Sequence, residues 1–540
     1  MIAALLRSLV SLGLVTAVSG CGQVWIPGDR PPTSRLAAFG APAATNDAVA
    51  RGILSGPTLP KTIFNVRQRL LGLGGHFHTH IVANRGHMNP EAGSFSWFET
   101  YSGPIPGGQV QEGELFIGFF SERQGDNLVV QQSFEPSLMI ELIAWDYSKQ
   151  MYNFWELIGN GKGSDWHFRG DSTDILNDGA SINTGATHPQ FGTKLRCSGC
   201  HTLGGPIMKE LEGPHNDWWT VTRKLQLGSM KLVPGNDPQR PANVAANLFA
   251  SATDASNLSM QVKKGIDRLI QARAQRGGDG QSLKQQLRSL FTPMEMNLVT
   301  DDVPYTERTG GMIHLPQDFF VDRRLVGDQP PIQLPAALYG QALASVGSRF
   351  APDEANLPET YHAFVVPGRS YVDNRVIDSL IQCGILDEGL VTAILAVDFT
   401  TPVYSRKRYG LLKYVPDTAR SAAELRAGLI ANLKAAPQDP VAQELLANLT
   451  DPHRNAAFLK EQAIAYLKTC QSIAGMNGAV ADWLQIASQR REELRHAETS
   501  SDPRGTITEP GFRVIFPVDH LNAQPGQLML DPATGRAIGQ

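Results

Sequence analysis

The sequence predicts an α+β protein, with a strand-rich N-terminal domain followed by a mainly α-helical C-terminal region. Three observations carry this expectation. Between about residues 62 and 190, runs such as "HFHTHIVAN", "GELFIGFF", "NLVVQQSF" and "LMIELIAWD" are separated by Gly- and Pro-rich turns such as "SGPIPGG". Beyond residue 240, apolar residues recur at helical spacing behind recognisable caps. The chain has 540 residues, 42% hydrophobic and 19% charged, which is ordinary globular composition and long enough for two or more domains.

At the N-terminus, Arg7 is the only charge before an apolar run over residues 9–18, and Val18-Ser19-Gly20-Cys21 follows. The run is too short to span a membrane and has the shape of an export signal. Small residues just before a cysteine resemble the lipobox of bacterial lipoproteins. That resemblance implies removal of residues 1–20, lipid attachment to Cys21, and a periplasmic protein anchored to the membrane. Gly22, rather than Asp, at the next position tilts the choice toward the outer membrane. A plain secretory signal is the alternative. Residues 21–61, rich in Pro, Ala, Gly and Thr, read as a flexible tether.

The strand-rich domain is expected over residues 62–240, the helical region over 241–500, and a loop-rich tail over 501–540. In the helical region Ser421 and Glu424 form a capping box before Leu425, Leu429 and Leu433, and Asp439-Pro440 opens the next helix. Residues 375–397, 455–472 and 478–497 also read as helices, whereas 300–372 carries many Pro and Gly and reads as irregular connection. The sequence shows no internal repeat.

Uneven composition points to the first half for function. Eight of the 13 His lie between His76 and His215, and six of the eight Trp lie between Trp97 and Trp219. Within that span, "LRCSGCHTLGGPIM" contains Cys197-Ser198-Gly199-Cys200-His201, a C-x-x-C-H pentapeptide. Two thiols at this spacing add to the two vinyl groups of a haem, and the adjacent imidazole is then placed to ligate iron. A redox C-x-x-C would want a βαβ context and a zinc site a second ligand pair, and the sequence supplies neither.

The segment is similar to that of c-type cytochromes. The resemblance implies one covalently bound haem c, with Cys197 and Cys200 as thioether anchors and His201 as proximal ligand. It also implies a proline carbonyl accepting the His Nδ1–H, for which Pro206 is the nearest candidate. A second similarity is to the β-rich c-type haem enzymes that oxidise hydroxylamine, which also place the motif at the end of a strand-rich domain. No cross-linking lysine is identified here.

The sixth iron ligand divides the functions. A methionine opposite His201 suits electron transfer, and Met208 and Met230 are the candidates, with Met260 at a further usual separation. An open position suits reaction with peroxide, oxygen or a nitrogen compound. The stretch "GGHFHTHIVANRGH" places His76, His78 and His80 on one face of a strand, with His87 in the following turn. It reads as a second metal site, as a source of a distal haem group, or as a polar strand face. Arg169 is a candidate partner for a haem propionate or for a surface ion pair. Of the five cysteines, Cys383 and Cys470 remain as candidates for a disulfide or as free thiols.

The net charge of −4 implies no attraction to nucleic acid, and the sequence holds no nucleophile elbow, phosphate loop or dinucleotide fingerprint. The expectation is a membrane-tethered periplasmic cytochrome carrying one haem c and passing single electrons to a partner redox protein. The alternative is a c-type haem enzyme with an open iron, peroxidase-like or oxidising a nitrogen compound. Oligomeric state is not legible.

Overall fold

A computed structural model describes residues 33–82, 95–182, 240–253, 255–276, 282–292, 296–299, 310–346, 366–476, 478–499 and 527–539, with 197, 201, 203–206, 235 and 364 between them. The protein is α+β. Helix α1 (Thr33–Ala38), a π-helical turn (Val49–Ile53) and α2 (Ile63–Leu71) precede an antiparallel sheet. Its strands are β1 (His76–Val82), β2 (Phe95–Ile105), β3 (Gly108–Val110), β4 (Leu115–Gln124), β5 (Asn127–Val130), β6 (Met139–Asp146), β7 (Met151–Gly159) and β8 (Ser164–Asp171). They run in the order β1-β2-β4-β6-β7-β8, with β3 paired to β2 and β5 to β4. Helices α3 (Ser172–Ile182), α4 (Pro241–Ser251) and α5 (Ala255–Arg276) complete this half.

Alternation along the strands divides the sheet into two buried faces. Trp97, Ile117, Leu142, Trp155 and Leu157 point to one and pack beneath Leu36, Val49, Ile53 and Leu54 from the N-terminal segment and Ala245 and Leu248 from α4. Residues 33–60 are therefore part of the core, which corrects the expectation of a tether up to residue 61. The cause is Asp47. Its Oδ1 accepts from Ala50 N (2.7 Å), and its Oδ2 from Asn153 Nδ2 (2.6 Å) and Trp155 Nε1 (2.9 Å), which locks the segment to β7. Phe116, Ile143, Trp145, Tyr152 and Phe154 point to the opposite face, beneath α3 and α5. Because both faces are covered, β7 ("MYNFWELIG") carries apolar residues on both sides and lacks the alternation that marks a half-exposed strand.

The second half contains α6 (Leu283–Phe291), β9 (Met296–Val299), β10 (Met312–Leu315), α7 (Arg323–Val326), β11 (Ile332–Pro335), α8 (Ala336–Val346), β12 (Val366–Arg369), α9 (Tyr371–Gln382) and α10 (Glu388–Leu395). There follow α11 (Arg406–Gly410), α12 (Ala422–Lys434), α13 (Pro440–Thr450), α14 (Ala456–Ile473), α15 (Ala479–Thr499) and the hairpin β13 (Leu528–Leu530) and β14 (Ala537–Gly539). One core runs through it, from Leu287 in α6 to Trp483 in α15. The first two helices beyond residue 240 pack on the sheet instead, so the change of core falls after α5.

The expected caps are in place. Ser421 Oγ accepts from Glu424 N (3.2 Å), and Asp439 Oδ1 from Val441 N and Ala442 N (3.1 Å each). The helix expected over 375–397 is two helices, broken where Gly384 takes φ +72° after α9. The supposed irregular connection supplies core residues, since Ile313, Leu315, Phe319, Phe320 and Leu334 are fully buried. The tail ends in a hairpin that packs on α15, where Trp483 Nε1 donates to Gly535 O (2.9 Å). Among the described residues, no helix is long and apolar enough to cross a membrane.

Candidate functional site

His201 N donates to Cys197 O (2.9 Å), which holds the two residues close together. An i, i+4 spacing brings both side chains to one side of the turn. Cys197 is buried in the apolar cluster that contains Phe116, Ile143, Phe154 and Leu269. The His201 ring lies 5.4 Å from the Phe154 ring, so the motif is seated on β7.

His201 Nδ1 lies 2.8 Å from Gly205 O. A carbonyl only accepts, so Nδ1 carries the proton and the ring's lone pair resides on Nε2. The acceptor is thus Gly205 and not Pro206, a one-residue correction. Its cause is the tight return of the chain at Gly204, where φ is +69° and Gly204 N donates to His201 O (2.7 Å). A Cβ on Gly204 would lie 2.1 Å from Ser172 O, and one on Gly205 would lie 2.9 Å from Leu269 Cδ2. Pro206 instead packs on α5, its Cγ 3.0 Å from where a Cβ on Gly265 would stand. The "GGP" stretch thus wedges the loop between the start of α3 and the middle of α5.

These residues fit the haem that the motif implies. A thiol and an imidazole share one side of a turn, the imidazole is in the tautomer that offers Nε2, and apolar side chains surround the thiol. Cys200, Met208, Met230 and His87 lie outside the described residues, as does Cys21. Met260 is on α5 and 56% exposed.

The histidine strand is elsewhere. β1 is the edge strand, four strand spacings from β7 along the sheet, or about 19 Å. The far end of β1 is covered by the α4–α5 junction, where Thr253 N donates to Thr79 O (3.0 Å) and Thr253 Oγ1 lies 3.0 Å from His80 Nδ1. α5 runs from there across the sheet, and the "GGP" stretch meets it near Gly265 and Leu269. The three histidines are therefore not brought to His201, and a distal role for them is not supported. They also divide among themselves: His80 is buried, while His76 and His78 are exposed with their ring centres 5.1 Å apart. Among the described residues, no group of three or more His, Cys, Asp or Glu is arranged to hold a metal ion.

The same sheet face carries a cross-strand row, polar at its β6–β8 end nearer the motif, that sequence reasoning did not assemble. Register pairs His80 with Phe98, Phe98 with Gly118, Gly118 with Glu141, Glu141 with Glu156, and Glu156 with His167. Cross-strand partners share a face, so this row lies beside the one containing Phe154. Glu156 is fully buried and ion-paired with Arg169, which answers the question of that arginine's partner. Alternation along each strand was visible, but which strands neighbour one another was not.

Cys383 and Cys470 are free thiols. Cys383 caps α9 in the open, whereas Cys470 is buried in α14, and burial pushes its thiol up to about 12. The disulfide alternative is thereby set aside.

No protein-family model, no curated protein and no solved structure matches this chain.

Proposed function

We propose that the protein is a periplasmic c-type cytochrome with one covalent haem, tethered to the membrane through Cys21 and carrying single electrons to and from a partner redox protein. The observation that carries the reading is the bond from His201 Nδ1 to Gly205 O, on a turn that also presents Cys197. Cys197 and Cys200 would hold the haem by thioether bonds, and His201 would ligate its iron through Nε2. When bound, the haem supplies a one-electron iron couple.

The chain's own contribution is orientation and environment. The Gly205 carbonyl fixes the imidazole ring and raises its basicity. Phe116, Ile143, Phe154 and Leu269 exclude water around the attachment turn. Confinement to a membrane surface raises the effective concentration of other tethered partners.

The second reading, a haem enzyme, draws support from Glu156 and His167, acid–base groups on the face that seats His201, with Arg169 ion-paired to Glu156. A redox titration with electron paramagnetic resonance of the haem-loaded protein separates the two. A reversible one-electron couple on a low-spin, six-coordinate iron is expected for the carrier. A high-spin, five-coordinate iron with peroxide or hydroxylamine turnover would overturn the carrier in favour of the enzyme.

A further inference from the structure

Along β1, residues two apart repeat at about 6.8 Å, so parallel side chains would keep roughly that spacing. The imidazoles of His76 and His78 instead lean together, with centres 5.1 Å apart and planes at 85°. Both residues are exposed, and neither lies under the α4–α5 junction that covers His80. The convergence is confined to the open end of the strand.

The spacing matches a particular coordination geometry. With a Zn–N bond of about 2.1 Å and a ring nitrogen about 1.1 Å from the ring centre, two imidazoles on one tetrahedral ion have centres about 5.2 Å apart. Two imidazoles at right angles on a square-planar ion would have centres about 4.5 Å apart. The observed separation therefore fits a tetrahedral ion better than a square-planar one.

We propose that His76 and His78 form a two-imidazole binding site for Zn²⁺, with water in the remaining coordination positions. The site is separate from the Cys197–His201 turn and does not rest on the haem reading. Two protein ligands leave two positions open to water, unlike a structural zinc, which four protein ligands close off.

The test is calorimetric titration of the full-length chain with zinc chloride, in wild type and in His76→Gln, His78→Gln and His453→Gln. His453 is an exposed histidine in the helical half and serves as the control. The expected result is one site of micromolar affinity in wild type, weakened about tenfold or more by either strand substitution and unchanged in the control. Glutamine keeps the strand face polar, and unchanged far-ultraviolet circular dichroism would show that the sheet is intact. An edge-to-face ring contact without metal binding predicts otherwise: no one-site binding in wild type, or wild-type affinity retained in both strand variants. Either result overturns the proposal.

Discussion

Gly204→Ala tests how the loop behind His201 is held. The native φ of +69° costs a non-glycine residue about 1 kcal/mol. The added Cβ would stand 2.1 Å from Ser172 O, against an ordinary contact of 3.4 Å, so the loop or the start of α3 must move by about 1.3 Å. Forcing such a shift in a packed site costs about 1–3 kcal/mol, for a total of about 2–4 kcal/mol. Gly205→Ala is the matched comparison. Its Cβ meets only the end of the Leu269 side chain, at 2.9 Å, and the expected cost is about 1 kcal/mol. Urea unfolding followed by tryptophan fluorescence reports on the right half, because seven of the eight Trp precede residue 220. Gly204→Ala should lower the midpoint several times more than Gly205→Ala, and should lower haem retention as the Gly205 carbonyl leaves the His201 ring. Equal midpoints for the two variants would mean that the contact of Gly204 with Ser172 does not hold the loop.

Other substitutions probe separate parts of the account. Asp47 is pushed up to about 6, first by burial and then by the Asp146 charge, while its bonds to Ala50, Asn153 and Trp155 act in the opposite direction. A raised carboxyl stabilises the fold fully below its ordinary value of 3.8 and loses that contribution as pH rises through about 6; the difference is about 3 kcal/mol. The urea midpoint of the sheet half should therefore fall between pH 4 and about pH 7, and Asp47→Asn should flatten that fall. In the helical half, Leu429→Ala removes a fully buried side chain and should cost about 2–5 kcal/mol, whereas Ser421→Ala removes only a cap and should cost about 1 kcal/mol, both read by denaturant unfolding. Cys21→Ser should release the chain from the membrane fraction into the soluble periplasm, read by fractionation.

What the sequence made legible, and what it hid, follows from the range of the interactions involved. Caps act over three or four residues, so Ser421, Asp439 and the helices behind them could be read from short stretches. The alternation of β1 was equally local. The neighbours of each strand depend on the whole sheet, which is why the Glu141–Glu156–His167 row was not assembled and why His76–His80 could be imagined beside the motif. Residues 33–60 looked like a tether because Ala, Pro and Gly dominate; their apolar side chains pack on the sheet, where Asp47 reaches Asn153 and Trp155, more than 100 residues away. The Gly205 acceptor was missed by one residue because the positive φ of Gly204, fixed by contact with Ser172, redirects the carbonyls that follow.

The proposed function stands or falls on a covalent haem at Cys197-Ser198-Gly199-Cys200-His201. The most direct measurement is acid–acetone extraction followed by intact mass of the chain produced alongside a cytochrome c maturation system. One haem per chain should stay with the polypeptide in wild type, and none when Cys197 and Cys200 are both changed to Ser. A wild-type chain whose mass matches the bare polypeptide, with both thiols open to alkylation, would contradict it.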